Sequence, residues 1–261
     1  MQQTENLIFN QNILQQFNPI SLKEMDAAAL LNRMDRKFAF HISNLEEILT
    51  ALTPYYSILE VKGIRANRYE SYYLDNDEYA FYHMHHNSHG NRLKVRFRRY
   101  ADSNLNFFEV KIKTNKDRTI KKRIKTDNIE STLFGEAKNF YELQTLRGSN
   151  GLKQKIRIDY TRITLVRNDL AERATFDLFL TYKFDDKIKA FNNLVIAEVK
   201  QSKIDNSSPV TRMLKSLHIT EKSLSKYCIG IYELHDTVKK NNFKPQRHII
   251  NKILSNINYG R

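Results

Sequence analysis

The sequence predicts an α+β protein built around a mostly antiparallel sheet. Two observations lead there. Segments with period-two alternation of apolar and polar residues recur at 68–74, 93–100, 105–113, 118–125, 155–165, 173–182 and 194–201. Stretches with helical periodicity fall at the start, middle and end, so the strands are not each followed by a helix as a doubly wound parallel sheet requires.

The elements follow in order. Residues 1–20 are rich in Gln and Asn and read as a loosely attached N-terminal arm, with 21–261 as one domain. Ser21, with Glu24 three residues on, signals a capped helix to Asn32 whose apolar face is Leu22, Met25, Ala29 and Leu30. A short strand is expected from Arg36 to His41. Ser43 and Glu46 form a second capping-box pattern ahead of Leu45, Ile48, Leu49 and Leu52. The alternating strands come next, interrupted by a helical stretch from Asn128 to Arg147 that stops near Gly148. After Gln201 the chain reads as helical or irregular, with Pro209 in the first turn of a helix.

A chain of 261 residues, 41% apolar, is long enough for a sizeable core and is not disordered. The single cysteine, Cys228, excludes an intrachain disulfide and fits a reducing compartment. No apolar run reaches the roughly 18–20 residues that span a bilayer, and the N-terminus lacks the basic start of a signal peptide. A soluble, cytoplasmic protein without a membrane span is expected. The formal charge of +14 points to a polyanionic partner: nucleic acid, an acidic membrane or free phosphate chains.

The placement of the charges narrows this choice. Side chains alternate faces along a strand, so Lys94, Arg96 and Arg98 share one face while Val95 and Phe97 share the other. Glu109, Lys111 and Lys113 oppose Phe108, Val110 and Ile112; Lys121 and Arg123 oppose Ile120 and Ile124. Glu198 and Lys200 oppose Ala197 and Val199, and Arg173, Thr175 and Asp177 oppose Phe176 and Leu178. Any one such strand is ordinary in a sheet with one wet face. Together the polar faces carry several cations and few carboxylates, where a solvated sheet would mix signs and carry more Ser, Thr, Asn and Gln. Curled inward, such a sheet is stable only around water and an anion.

The stretches NRMDRKFAFH (32–41), SYYLDND (71–77), LKVRFRRY (93–100), FFEVKIKT (107–114), IKKRI (120–124), RIDYTRITL (157–165), LVIAEVKQSK (194–203) and SKYCIG (225–230) resemble, in order, the VTC (vacuolar transporter chaperone) polyphosphate polymerase domain, a branch of the CYTH-like triphosphate tunnel fold. The resemblance implies an antiparallel eight-stranded β-tunnel with flanking helices, in one catalytic domain over 21–261. It implies catalytic roles for Lys37, Arg96, Arg98, Lys111, Lys200 and Lys226. Phosphate-binding roles fall to Lys121, Arg123, Arg162, Arg173 and Lys113. Glu198 is implied as a metal ligand, with Glu109 as an assistant or as the partner of a neighbouring lysine. Arg173 is followed by ATFDLFL, a loose match. The hydrolytic branches open with E-x-E-x-K, whereas Asp35-Arg36-Lys37 stands here, which favours the polymerase branch.

Such a protein transfers the γ-phosphate of ATP to a growing polyphosphate with Mn²⁺ or Mg²⁺. Arg supplies bidentate donors and Lys supplies point charges to phosphate oxygens. The alternatives are a triphosphate or polyphosphate hydrolase, a non-catalytic polyphosphate binder, or a nucleic-acid module. The last expects aromatics on the cationic face, whereas Phe97 lies opposite Arg96 and Arg98. No nucleic acid is therefore expected as a partner. The run His83 to His89 has metal-like i,i+4 spacing but reads as a solvated helix end after Tyr79, and Tyr69, Tyr72 and Tyr73 read as core.

Overall fold

A computed structural model of the chain describes residues 10–27, 34–115, 119–169 and 172–255. Its strands are β1 (Asn18–Ile20), β2 (Met34–His41), β3 (Tyr56–Leu59), β4 (Ala66–Asp75), β5 (Arg92–Tyr100), β6 (Leu105–Lys113), β7 (Thr119–Thr126), β8 (Lys153–Arg167), β9 (Glu172–Phe184), β10 (Lys187–Phe191) and β11 (Leu194–Gln201). Its helices are α1 (Leu22–Ala27), α2 (Leu45–Leu52), α3 (Ala80–His86), α4 (Gly135–Thr145), α5 (Pro209–Ser216), α6 (Lys226–Leu234) and α7 (Lys244–Ser255).

The architecture is α+β, as expected. Eight strands follow one path, β2-β11-β9-β8-β4-β5-β6-β7, and every neighbouring pair along it is antiparallel. Strands β1, β3 and β10 lie off this path. The path curls strongly. Strand β6 is six places from β2, which in a flat sheet would separate them by about 29 Å. Yet Lys111 on β6 feels the charges of Glu198 on β11 and of Lys37 and Asp35 on β2, an influence that solvent and salt would erase at such a distance. Among the described residues β2 and β7 share no ladder, so the eight-stranded tunnel is curled but unsealed by hydrogen bonds.

Apolar residues of the outer face hold the helices. Phe40, Ile163, Phe176 and Val199 pack with Ile48, Leu49 and Leu52 of α2 and Val210 and Leu214 of α5. Val95, Phe97, Phe108 and Val110 pack with Ala137 and Tyr141 of α4. Each of these strands hides its alternate residues in this way, which commits the charged set to the inner face.

One end of the inner face is also apolar. Ala39, Tyr73, Ile156, Ile158 and Ile196 pack there with Tyr227, Cys228 and Ile231 of α6, which fills that end of the lumen. Asp75, fully buried at the end of β4, ties α3 and α6 to it: its carboxylate accepts from the Phe81 and Tyr82 amides and from the Tyr227 hydroxyl at 2.5 Å.

Several local expectations change. Residues 11–20 are not loosely attached: Gln11–Gln16 forms a 3-10 helix, β1 pairs with β3, and Ile13, Leu14 and Phe17 are buried. The Ser21–Glu24 box forms, with the Ser21 amide donating to Glu24 at 2.8 Å and the Glu24 amide to Ser21 Oγ at 3.3 Å. Helix α1 is described to Ala27, and the expected remainder, including Ala29 and Leu30, lies outside the described residues. The Ser43–Glu46 box does not form, because Ser43 is held by His41 Nδ1 at 2.9 Å inside a 3-10 turn and α2 starts at Leu45. Helix α4 is shorter than the expected 128–147. Pro209 does occupy the first turn of α5, behind its Ser208 cap.

Candidate active site

The inner face can be read across the sheet by register, because residues directly opposite in an antiparallel pair share a face. Lys37 faces Glu198, which faces Thr175, which faces Thr164. On β8 and β9, Arg162 faces Asp177. On the other wall Tyr73 faces Arg96, which faces Glu109, and Lys94 faces Lys111, which faces Lys121. Cations from β2, β5, β6, β7, β8 and β11 therefore point into one concavity.

Three carboxylates organise them. Glu109, 2% exposed, accepts from Arg96 Nε at 2.8 Å and Nη2 at 2.6 Å, with Lys121 Nζ at 2.7 Å and Arg98 Nη1 at 3.8 Å. Asp177, 1% exposed, holds Arg162 Nε at 2.5 Å and Nη2 at 2.8 Å and Lys226 Nζ at 2.5 Å. Glu198 holds Lys200 at 2.7 Å, with Lys37 at 4.0 Å. Tyrosine faces support the same cations. Arg98 and Arg162 lie 5.5 Å and 5.1 Å from the Tyr69 ring centre, Lys226 lies 5.4 Å from Tyr160, and Arg96 donates to the Tyr73 hydroxyl at 2.6 Å.

The electrostatics record a crowded cationic cavity. Burial alone would raise the Glu109 carboxyl, yet Arg98, Arg96 and Lys121 hold it well below the carboxylate range. Glu198 is likewise held low by Lys200 and Lys37 against the effect of burial. Burial brings the Lys94 ammonium down to about 7, with Lys37, Lys111 and Arg96 adding repulsion. Lys121 also falls to about 7, through burial and the nearby Arg98 and Arg96, although Glu109 opposes the shift. The Tyr160 phenol is lowered despite burial, because Arg98 and Arg162 face it. Arg98 Nε and Ser71 Oγ, opposite one another in register, are buried without a hydrogen-bond partner among the described residues.

Most of the residues expected from the sequence gather here: Lys37, Arg96, Arg98, Lys111, Lys121, Arg162, Lys200, Lys226, Glu109 and Glu198. Three stand apart. Arg123 is exposed on β7, with its guanidinium over Phe107 at 4.6 Å. Lys113 ends β6 opposite Thr119. Arg173 faces Lys200 in register, but its guanidinium donates to the Met25 carbonyl of α1 at 2.8 Å. The metal expectation also divides. Glu109 is enclosed by three cations and does not fit a metal ion. Glu198 fits a site in which one carboxylate joins oxygens supplied by phosphates, the usual manner for Mg²⁺. Among the described residues no group of three His, Cys, Asp or Glu side chains could hold a metal by itself.

Sequence reasoning gave no role to Lys94, Asp177 and Tyr160; it read Tyr69 and Tyr73 as core, and both are buried in a core cluster while also facing the cations. Alternation placed Lys94 and Asp177 on the charged faces. The tyrosines needed the register, which brings Tyr69 against both Tyr100 and Tyr160. Tyr72 lies on the other face, with Arg157 5.2 Å from its ring. Phe97 is fully buried in the outer core, as its alternation implied. The histidine run does end a helix and His89 is exposed, but the end is only partly solvated: His86 is 3% exposed and His85 Nε2 is buried.

No helix among the described residues is long and apolar enough to cross a membrane. No curated protein matches the chain in sequence. Among solved structures, a candidate adenylate cyclase from Bacillus halodurans aligns over 78% of this chain and 98% of its own, with 9% identity and a TM-score of 0.47. A candidate adenylate cyclase from Vibrio parahaemolyticus aligns over 76% and 98%, with 12% identity and a TM-score of 0.45. A candidate adenylyl cyclase from Hippeastrum, described as having a dominant triphosphatase activity, aligns over 76% and 94%, with 11% identity and a TM-score of 0.45. The sequence profile of the VTC domain matches residues 32–235, more than three-quarters of the 261 residues and every strand of the basic concavity, and the chain belongs to the VTC domain family.

Proposed function

We propose that the protein is an ATP-dependent polyphosphate polymerase that works in the cytoplasm. One observation carries this reading: basic side chains from six strands converge on a single curved face, with few carboxylates among them and buried donors left unpaired. A linear chain of phosphates matches such a face in charge, donor demand and shape.

In the proposed reaction an oxygen of the terminal phosphate of a chain attacks the γ-phosphorus of ATP. The new P–O bond forms in line with the breaking β–γ bridge, and ADP leaves with the bridging oxygen. Arg96 and Arg98 hold equatorial oxygens of the transferred group, with Lys37, Lys111, Lys200 and Lys226 compensating charge on the attacking and leaving phosphates. Lys121, Arg162 and, nearer the rim, Lys113, Arg123 and Arg173 hold the rest of the chain. Glu109 and Asp177 keep Arg96 and Arg162 extended toward it. Glu198 would hold Mn²⁺ or Mg²⁺, which supplies further charge compensation on phosphate oxygens.

Incubating the purified protein with ATP and Mn²⁺ tests this directly. Long polyphosphate and ADP are expected, with the polymer lost on chelation and in Glu198→Gln. Orthophosphate without polymer would replace the reading with hydrolysis. Tripolyphosphate binding without turnover would leave a binding protein.

A further inference from the structure

We propose that His85 is an additional phosphate ligand of the lumen, and that a bound phosphate chain brings a proton onto its ring. This rests on the polyphosphate reading of the lumen and names a group that the alternation of the strands cannot reach.

The histidines of α3 have different fates. His86 is engaged: its Nε2 accepts from the Asn242 amide at 3.3 Å, and its ring packs against Phe243. His83 packs edge-on against Tyr82. His85 Nε2 is buried and has no partner among the described residues. The Asp75 bonds described above fix α3 in place, and α3 packs on β5 and α6.

The charges that act on His85 come from three strands: Lys94 and Arg92 on β5, Lys37 on β2 and Lys111 on β6. On α6 the Cys228 thiol interacts with Lys94 and Arg92 and is pushed up by burial. From β4, Asp75 acts on His83, two residues back. Lys94 itself donates to Ser225 Oγ, the cap of α6, at 3.1 Å. His85 therefore lies within electrostatic reach of the lumen cations, on a helix packed against β5 and α6, with a buried ring nitrogen that has no partner among the described residues.

An imidazole in that position is neutral while the lumen holds no anion. Burial first, then Lys94, Arg92, Lys37 and Lys111, bring its protonation down to about pH 2. A phosphate oxygen there changes both contributions. It accepts a hydrogen bond from the ring, and its charge offsets the lysines that opposed a second proton. Each chain bound therefore favours the imidazolium, and the cationic ring in turn holds the chain.

Tripolyphosphate titrated calorimetrically into wild type and His85→Gln, in buffers of different ionisation heat, tests the coupling. Gln retains a donor and cannot take a proton. Wild type is expected to absorb more protons per ligand. Its association constant should rise more steeply as pH falls from 8 to 6, by up to about one extra power of ten per pH unit. Lys121 and Lys94 titrate in the same range; Lys94 is coupled to His85, so the ¹⁵N measurement below assigns the proton to the ring itself. Equal proton uptake and equal slopes would overturn the proposal. The unmodified protein supplies a second measure: the ¹⁵N resonances of His85 should move to imidazolium positions on adding tripolyphosphate, and unmoved resonances would overturn it too. Binding that ignores His85 sinks this proposal alone, whereas wild type that binds no tripolyphosphate removes the polyphosphate reading along with it.

Discussion

Replacing Glu109 by Gln sets two effects of one side chain against each other. The carboxylate is 2% exposed and meets Arg96 at 2.6 Å and Lys121 at 2.7 Å, with Arg98 at 3.8 Å. Gln fills the same volume, so no cavity opens, but three cations lose their counter-charge. Breaking a buried ion pair from one side typically costs about 3–5 kcal/mol, which is a large part of the stability of an ordinary domain. Ligand binding responds in the opposite direction. A unit charge about 8 Å from a phosphate, at an effective dielectric constant of about 20, is worth about 2 kcal/mol, or roughly thirtyfold in affinity. The variant should unfold at lower urea, bind tripolyphosphate more tightly, and recover stability as that ligand is added, by about 2.7 kcal/mol at a hundred times its dissociation constant. Urea titrations with and without tripolyphosphate, paired with calorimetry at low salt, read all three. A variant as stable as wild type that binds no more tightly would refute the idea that Glu109 restrains the cations of the lumen.

Three further outcomes follow from the same geometry. The Asp177 carboxyl stands at about 2 against an ordinary 3.8, because Arg162 and Lys226 outweigh burial; its folded value is depressed, so its contribution is complete above about pH 4 and fades as pH falls toward 2, and Asp177→Asn should flatten that limb of urea stability against pH. The Lys94 ammonium is lowered from 10.5 to about 7, so the charged form opposes folding; Lys94→Gln should be more stable than wild type at pH 6, with the gap closing toward pH 10, while binding tripolyphosphate more weakly. Gly230→Ala would press a Cβ on α6 against Ile156 Cδ1 and, at 2.5 Å, Tyr182 Cδ1, lowering stability by about 1–3 kcal/mol in thermal melts.

Much of the sheet was legible because its strands obey a local rule. In Leu194–Gln201 the buried Val195, Ala197 and Val199 alternate with Glu198 and Lys200, and the expected boundaries coincide with those of β11. The short strands were not legible. Tyr56–Leu59 is a four-residue run held by β1 and β8, and Lys187–Phe191 extends a hairpin from β9 with Ile188 65% exposed, so neither carries a pattern of its own. Within the site, alternation supplied the cations and could not supply their neighbours. That Tyr160 lies beside Arg162 and Lys226 depends on register and on the placement of α6. The two capping boxes show the same limit: identical spacing forms at Ser21 and fails at Ser43, because His41 competes for the hydroxyl.

Helix α6 combines a stopper with a hand. Its nine residues run from Lys226, which grips Asp177 at the basic wall, to the apolar side chains wedged among Tyr73, Ile156 and Ile196. The barrier at that mouth and the cation beside it are therefore one rigid piece. Any swing wide enough to open that mouth also withdraws an ammonium from the basic wall, so opening the end and loosening the charge beside it are a single event.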